Sequence, residues 1–269
     1  MKILNILLLL INVIALPVTA ELVANKNLTN EALTNKPVTR EFGDNISIKS
    51  EVLGVERNLI IHLPTGYAES TQQYPVLYLL DGERHIYHAV IATELLHKAK
   101  KIPELIIVAI ANKENMRERD LNTESEKFTR FLSREVMTYV ESHYRTSGSN
   151  TLFGHSLAGF YTADLFANSP ELFDNYIAAS PPLQGDEIEI YNKIIAHKNT
   201  KKPNALYFTL ANAAAEGNDV ANAMTNFVSL LNSKAPNNLN WHYQALAEQT
   251  HITTSYLTLF HGISYVLKD

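Results

Sequence analysis

The run Asn150-Thr-Leu-Phe-Gly-His-Ser-Leu-Ala-Gly159 joins a short apolar strand to an apolar helix through a serine set among small residues. Bare pentapeptides of this kind arise by chance, so the setting carries the reading. A strand is predicted at 150–153 and a helix from Leu157 to Asn168, ending before Pro170. A serine on such a tight strand-to-helix turn is held in a strained backbone conformation that lifts its hydroxyl above the sheet. Strand and helix nearly touch there, so close neighbours must be small, and Gly154, Ala158 and Gly159 meet that need. The strict G-x-S-x-G pattern has Gly where Ala158 stands, and a second Gly follows one place later. The helix start also directs free N–H groups towards the serine, which favours developing negative charge.

Outward from this turn, strand and helix signals alternate. Ile46 to Leu53 alternates apolar and polar, Gly54 breaks it, and Asn58 to Leu63 follows, so the two read as an antiparallel hairpin. Tyr74 to Leu80 and Leu105 to Ile110 are near-continuous apolar runs, as strands buried on both faces require. Helices are predicted at Tyr87–His97 and along the face Phe128, Phe131, Leu132, Val136, Val140 and Tyr144, which recur at spacings of three and four. Strands at 176–179 and 206–210, a helix near 220–231, a strand at 241–246 and a helix from about Thr253 to Leu267 complete the chain. An antiparallel start leading into repeated β-α units predicts a mostly parallel sheet with helices on both faces.

A serine hydroxyl needs a neighbouring base to attack at neutral pH, and on a sheet of this kind the partners follow in the order Ser, acid, His. Of ten histidines only His197, His242, His251 and His261 come after the serine. His197 and His261 fall within predicted helices and His242 within a strand. His251 occupies the short loop between the last strand and the last helix, at the carboxyl edge of the sheet, and is the expected base. The acid should follow the strand ending at Leu210, where Glu216 and Asp219 are available. Glu216 precedes Gly217 in a predicted loop, while Asp219 is placed to cap the next helix. Glu216 is therefore chosen.

The oxyanion of a tetrahedral intermediate needs two donors. The expected pair is the backbone N–H of Leu157, next to the serine, and that of Glu83, in the loop Leu79-Leu-Asp-Gly-Glu83 after an upstream strand. His85-x-x-His88 lacks a third ligand at convincing spacing, so no metal is expected. Arg117-Glu-Arg-Asp120 reads as a salt-bridged loop, though its place after the strand at 105–110 puts it on the active-site side of the sheet. No long insertion interrupts the β-α units, so no large lid domain is expected, and an open cleft suits small soluble esters.

Composition narrows the function classes. The chain carries 23 Lys and Arg against 28 Asp and Glu, a net charge of −5, with no Lys/Arg-rich block, so nucleic acid is not an expected partner. Without cysteine there are no disulfides, thiolate metal sites or Cys nucleophiles. Met1-Lys2, the apolar Ile3 to Leu16 and Pro17-Val-Thr-Ala20 read as an export signal cleaved near Glu21. The apolar run is shorter than the roughly 20 residues that span a bilayer, so stable membrane insertion after cleavage is not expected. The expected organisation is a signal peptide at 1–20, a polar arm at 21–40 and a catalytic domain at 41–269. A periplasmic or secreted location follows.

Taken together, Tyr74-Pro-Val-Leu-Tyr-Leu-Leu-Asp-Gly-Glu83, Arg117-Glu-Arg-Asp120, Tyr144-Arg145, Gly154-His-Ser-Leu-Ala-Gly159, Ser180-Pro181 and Glu248-x-x-His251 resemble the putative esterase family of α/β-hydrolases. That family includes periplasmic enterochelin-esterase-like hydrolases, S-formylglutathione hydrolases and mycolyltransferases, and the small siderophore-trilactone esterases look most similar. The resemblance implies an α/β-hydrolase fold and ester hydrolysis without a metal or organic cofactor, sometimes through a Ser-His dyad with a weak third member. Pro182-Leu-Gln after Ser180-Pro181, and Gln-Thr-His after Glu248, depart from those relatives and bear on the siderophore substrate. The expectation is a serine esterase acting through an acyl-enzyme. Acyl transfer to a sugar or alcohol, and a non-catalytic binding protein on the same fold, are the alternatives.

Overall fold

The computed structural model describes residues 38–196, 205–236 and 239–268. The chain divides into two compact units, Met1–Arg40 and Glu41–Asp269, and the account below concerns the second. The predicted export signal at 1–20, nearly all of the arm at 21–40, and His197 lie outside the described residues.

Eight strands form one sheet in the order β1-β2-β4-β3-β5-β6-β7-β8. They are β1 Asp44–Lys49, β2 Glu56–His62, β3 Tyr74–Leu79, β4 Ile106–Ile110, β5 Thr146–His155, β6 Asn175–Ala179, β7 Ala205–Leu210 and β8 Asn240–Ala245. The predicted hairpin is present, since β1 runs antiparallel to β2, and β2 runs antiparallel to β4. The pairings from β4 through β8 are all parallel. Burial follows position. Every residue of β4, β6 and β7 is buried, whereas the edge strands β1 and β8 are partly exposed.

Side chains alternate across the sheet and build two cores. Val76, Tyr78 and Leu80 pack with the cluster that takes in Phe131, Ala158 and Phe227, while Leu77 and Leu79 pack with Ile86, Val90, Leu259 and Ile263. Helices α1 (Gly82–Lys98) and α8 (His251–Val266) cover the second face. Helices α2 (Ser125–Phe131), α3 (Met137–His143), α4 (Leu157–Asn168), α5 (Glu187–Ala196) and α7 (Asn218–Lys234) cover the first, and α6 (Ala213–Glu216) is a single turn. This is the α/β-hydrolase fold, with no inserted lid domain among the described residues.

Two details depart from the sequence reading. The helix predicted from 128 to 144 is interrupted at Leu132–Val136 by a π-helical turn, and a second π turn at Arg119–Thr123 precedes α2. The expected face still points inward, because Phe128, Phe131, Leu132, Val136 and Val140 are all buried. The first crossover helix, predicted from Tyr87, begins at Gly82. Asp81 takes a left-handed conformation (φ 51°, ψ 45°) that turns the chain straight from β3 into α1.

That turn matters for position. Neighbouring strands β3 and β5 send their connections to opposite faces of the sheet, to α1 and α4 respectively. A crevice opens where such connections part, outside the carboxyl ends of the strands. Asp81-Gly82-Glu83 and His155-Ser156-Leu157 border it, and the Leu80 amide bonding Phe153 O at 3.0 Å ties the two strand ends together.

Candidate active site

Ser156 sits between β5 and α4 with φ 60° and ψ −125°, a conformation that L-residues rarely adopt and that costs about 1–3 kcal/mol. The small neighbours read from the sequence are needed here. A Cβ on Gly154 would lie 2.1 Å from Ala158 O, and one on Gly159 would lie 2.7 Å from Ala179 O. The Ser156 amide donates to Ala179 O at 2.9 Å, pinning the turn to β6.

His251 and Glu216 meet at the same sheet edge. His251 is the first residue of α8, and Nδ1 lies 2.7 Å from Glu216 Oε2. The Glu216 side chain is 3% exposed and that of His251 36%. The hydrogen bond to Glu216 raises the imidazole above its ordinary pKa, although burial and the more distant Arg117 oppose it. Burial alone would push the Glu216 carboxyl up. The bond from His251 and the nearby Ser180 hydroxyl and Ala211 amide outweigh it and hold the group below its usual range. Neither Ser180 nor Ala211 meets hydrogen-bond geometry at Oε1, which is buried without a partner.

Glu216 ends the one-turn helix α6 rather than lying in an open loop. Asn212 builds that turn and joins it to the His251 loop. Its Oδ1 accepts from the Ala214 amide at 2.8 Å, its Nδ2 donates to Ala247 O at 2.9 Å, and its own amide donates to Gln249 O at 3.0 Å. Thr250 then caps α8 in a reciprocal box with Thr253. Asn212 escaped the sequence reading, though an Asn before Ala-Ala-Ala-Glu has the signature of a cap. Asp219 corrects an expectation in the other direction. It is exposed in the first turn of α7, and the capping position falls to Gly217 (φ 93°), with no side-chain cap.

The Leu157 and Glu83 amides lie in the first turns of α4 and α1, where no helical carbonyl can take them. Neither donates to another group among the described residues. The Glu83 carboxylate instead accepts from Asn112, from its amide at 3.0 Å and from Nδ2 at 3.1 Å. Arg117 makes two bonds to the buried Asp81 carboxylate, Nε to Oδ1 at 2.6 Å and Nη2 to Oδ2 at 2.7 Å. The Arg117–Asp120 run is thus a salt-bridged brace, with Asp120 paired to Arg57 and Arg119.

No hydrogen bond joins Ser156 to His251, and it is the residue before the serine whose ring touches that of His251. The His155 ring contacts that of His251 with centroids 4.8 Å apart, while the His251 side chain bonds only Glu216 among the described residues. Near them, His85 and His88 are buried with neither nitrogen of either ring partnered. Burial holds His85 down to about 3 and His88 down to about 4. Among the described residues no three His, Asp or Glu side chains gather to hold a metal ion, and no helix is long and apolar enough to cross a membrane. His242 stacks on Tyr207 and Tyr265, and His261 lies mid-way along α8, so neither joins the site.

Comparison with known proteins bears on the family and the fold. Ferri-bacillibactin esterase BesA of Bacillus subtilis (strain 168) is 29% identical over 93 residues, which are 34% of this chain and 32% of that protein's length. An IroE-like serine hydrolase from Shewanella oneidensis has 26% identity and a TM-score of 0.75, over 83% of this chain and 79% of its own. The BES protein from Bacillus cereus shares the fold at 18% identity, with a TM-score of 0.77 over 89% of this chain and all of its own. The family described as Putative esterase matches residues 50–244, a range that includes Ser156 and Glu216 and stops short of His251. The chain belongs to the putative esterase family.

Proposed function

We propose that the protein is a serine carboxylic-ester hydrolase working through an acyl-enzyme, with Ser156 as nucleophile, His251 as general base and Glu216 as the acid that orients it. The observation that carries this reading is the strained Ser156 turn set beside the His251–Glu216 pair at one sheet edge. His251 Nε2 takes the serine proton as Oγ attacks the ester carbonyl, and Glu216 stabilises the imidazolium that forms. The free first-turn amides of Leu157 and Glu83 receive the oxyanion. His251 then returns the proton to the leaving alcohol, and water repeats the sequence in reverse to release the acid.

Small soluble esters suit a site with no lid domain among the described residues, and the names of the relatives point to siderophore lactones as the substrates to try first. Export by residues 1–20 to the periplasm or medium belongs to the same proposal. N-terminal sequencing of the exported protein should find a start near Glu21. The activity is tested with a fluorophosphonate probe and a panel of esters from acetyl to palmitoyl that includes a ferric siderophore trilactone. Labelling confined to Ser156, with short acyl chains or the trilactone preferred, is the expected result. A protein that neither labels nor cleaves any of them would be a binding protein on this fold.

A further inference from the structure

His155, the residue before the serine, reaches the main chain of the base. Its Nε2 lies 2.7 Å from the carbonyl oxygen of His251. A carbonyl only accepts, so Nε2 carries the proton. Burial holds this imidazole below its ordinary pKa, although its contact with that carbonyl and the carboxylates of Asp81 and Glu216 pull the other way. The ring is packed in place. It lies T-shaped to the ring of His85 with centroids 5.8 Å apart, His85 meets Phe153 and His88 in the same T-shaped manner, and Arg117 Nη2 approaches the His155 carbonyl at 3.4 Å. This gives the two unpartnered histidines of α1 a place in the site, as the wall that sets the His155 ring.

The other bonds at the start of α8 run to its own cap and to Asn212. Those from Asn212 tie the loop before α8 to α6, the turn that carries Glu216. Among the described residues, His155 makes the one side-chain hydrogen bond between the nucleophile strand and the base. The carbonyl of a helical residue keeps a second lone pair after its helical bond, so this contact does not compete with α8.

We propose that His155 is a positioning residue for ester cleavage, its Nε2–H fixing the His251 backbone so that the imidazole stays in register between Glu216 and Ser156. The proposal rests on the Ser156–His251 reading above. Failure of that reading would show separately, as ester cleavage that survives Ser156→Ala.

The test compares His155→Phe, which keeps a ring and loses the donor, with His155→Gln, whose side-chain amide restores an N–H at similar reach. The readouts are kcat and KM on a short-chain aryl ester, the labelling rate of Ser156, and the low-field NMR signal of His251 Nδ1–H. His155→Phe should lose roughly a hundredfold in kcat, the scale of an ångström of misplacement, with KM little changed. Labelling should slow in parallel, and the low-field signal should persist because the pair with Glu216 is intact. His155→Gln should recover to within about tenfold of wild type, since the geometry is restored. Wild-type kcat in His155→Phe, or a folded His155→Gln as slow as the Phe variant, overturns the proposal. Should His155→Phe not fold, the Gln variant decides alone, a hundredfold loss in kcat counting against positioning.

Discussion

Glu216 Oε2 accepts from Nδ1–H of His251 at 2.7 Å, joining a carboxylate almost removed from water to an imidazole that still reaches it. The bond settles which nitrogen is free to act. With the proton on Nδ1, the lone pair of Nε2 is the one available for proton transfer.

The first prediction is a pH profile. A general base works when neutral, so activity falls as pH drops through the His251 pKa. Since Glu216 raises that pKa above the ordinary 6.5, the acid limb of kcat/KM should inflect above 6.5. In Glu216→Gln the inflection should move down. A wild-type limb below 6.5 would show that the pair does not govern the base.

Glu216 and Asp219 should separate cleanly. Glu216→Gln should lower kcat by about a hundredfold or more, because the imidazolium loses its partner and the tautomer its anchor. Asp219 is exposed in the first turn of α7 and caps nothing, so Asp219→Asn should leave kcat intact. Its stability cost should not exceed the roughly 0.3–1 kcal/mol of a charge near a helix start. A large kcat loss in Asp219→Asn alone would reverse the assignment.

Replacing the serine should expose a conflict between activity and stability. Ser156→Ala should lose hydrolysis by about three orders of magnitude or more and keep the fold. Ser156→Gly should be equally inactive yet melt higher than Ser156→Ala, because φ 60°, ψ −125° suits glycine and strains alanine. Equal melting temperatures would mean that the turn stores no strain.

His85 and His88 should make the fold acid-sensitive. Both are neutral when folded and titrate near 6.5 when unfolded, so the unfolded chain binds more protons from about pH 6.5 down to about pH 4. Stability should therefore be full above pH 6.5 and decline below it, by up to about 1.4 kcal/mol per pH unit for each group. Urea midpoints should fall less between pH 7 and 5, by that same linkage, in a His85→Leu, His88→Leu double variant than in wild type. Parallel losses in both would place the acid sensitivity elsewhere.

The amino-acid sequence by itself determined what is local. Continuous apolar runs made β3 and β4 readable as central strands, and small residues around Ser156 marked the turn, Gly154 because the chain meets Ala158 four residues on. Chain order then singled out His251 and narrowed the acid to two carboxylates. Choosing Glu216 from helix-capping chemistry named the residue the structure pairs with His251, but for a partly mistaken reason, since Asp219 does not cap α7. The pairing comes from Asn212 drawing the end of β7 against the loop after β8, across 35 positions of chain. The placing of His155 against His251 spans 96 positions, and the bracing of Asp81 by Arg117 spans 36. No local propensity encodes such contacts. They exist because a twisted parallel sheet gathers the carboxyl ends of β3, β5, β7 and β8 along one edge, and only the folded chain brings those side chains within bonding distance.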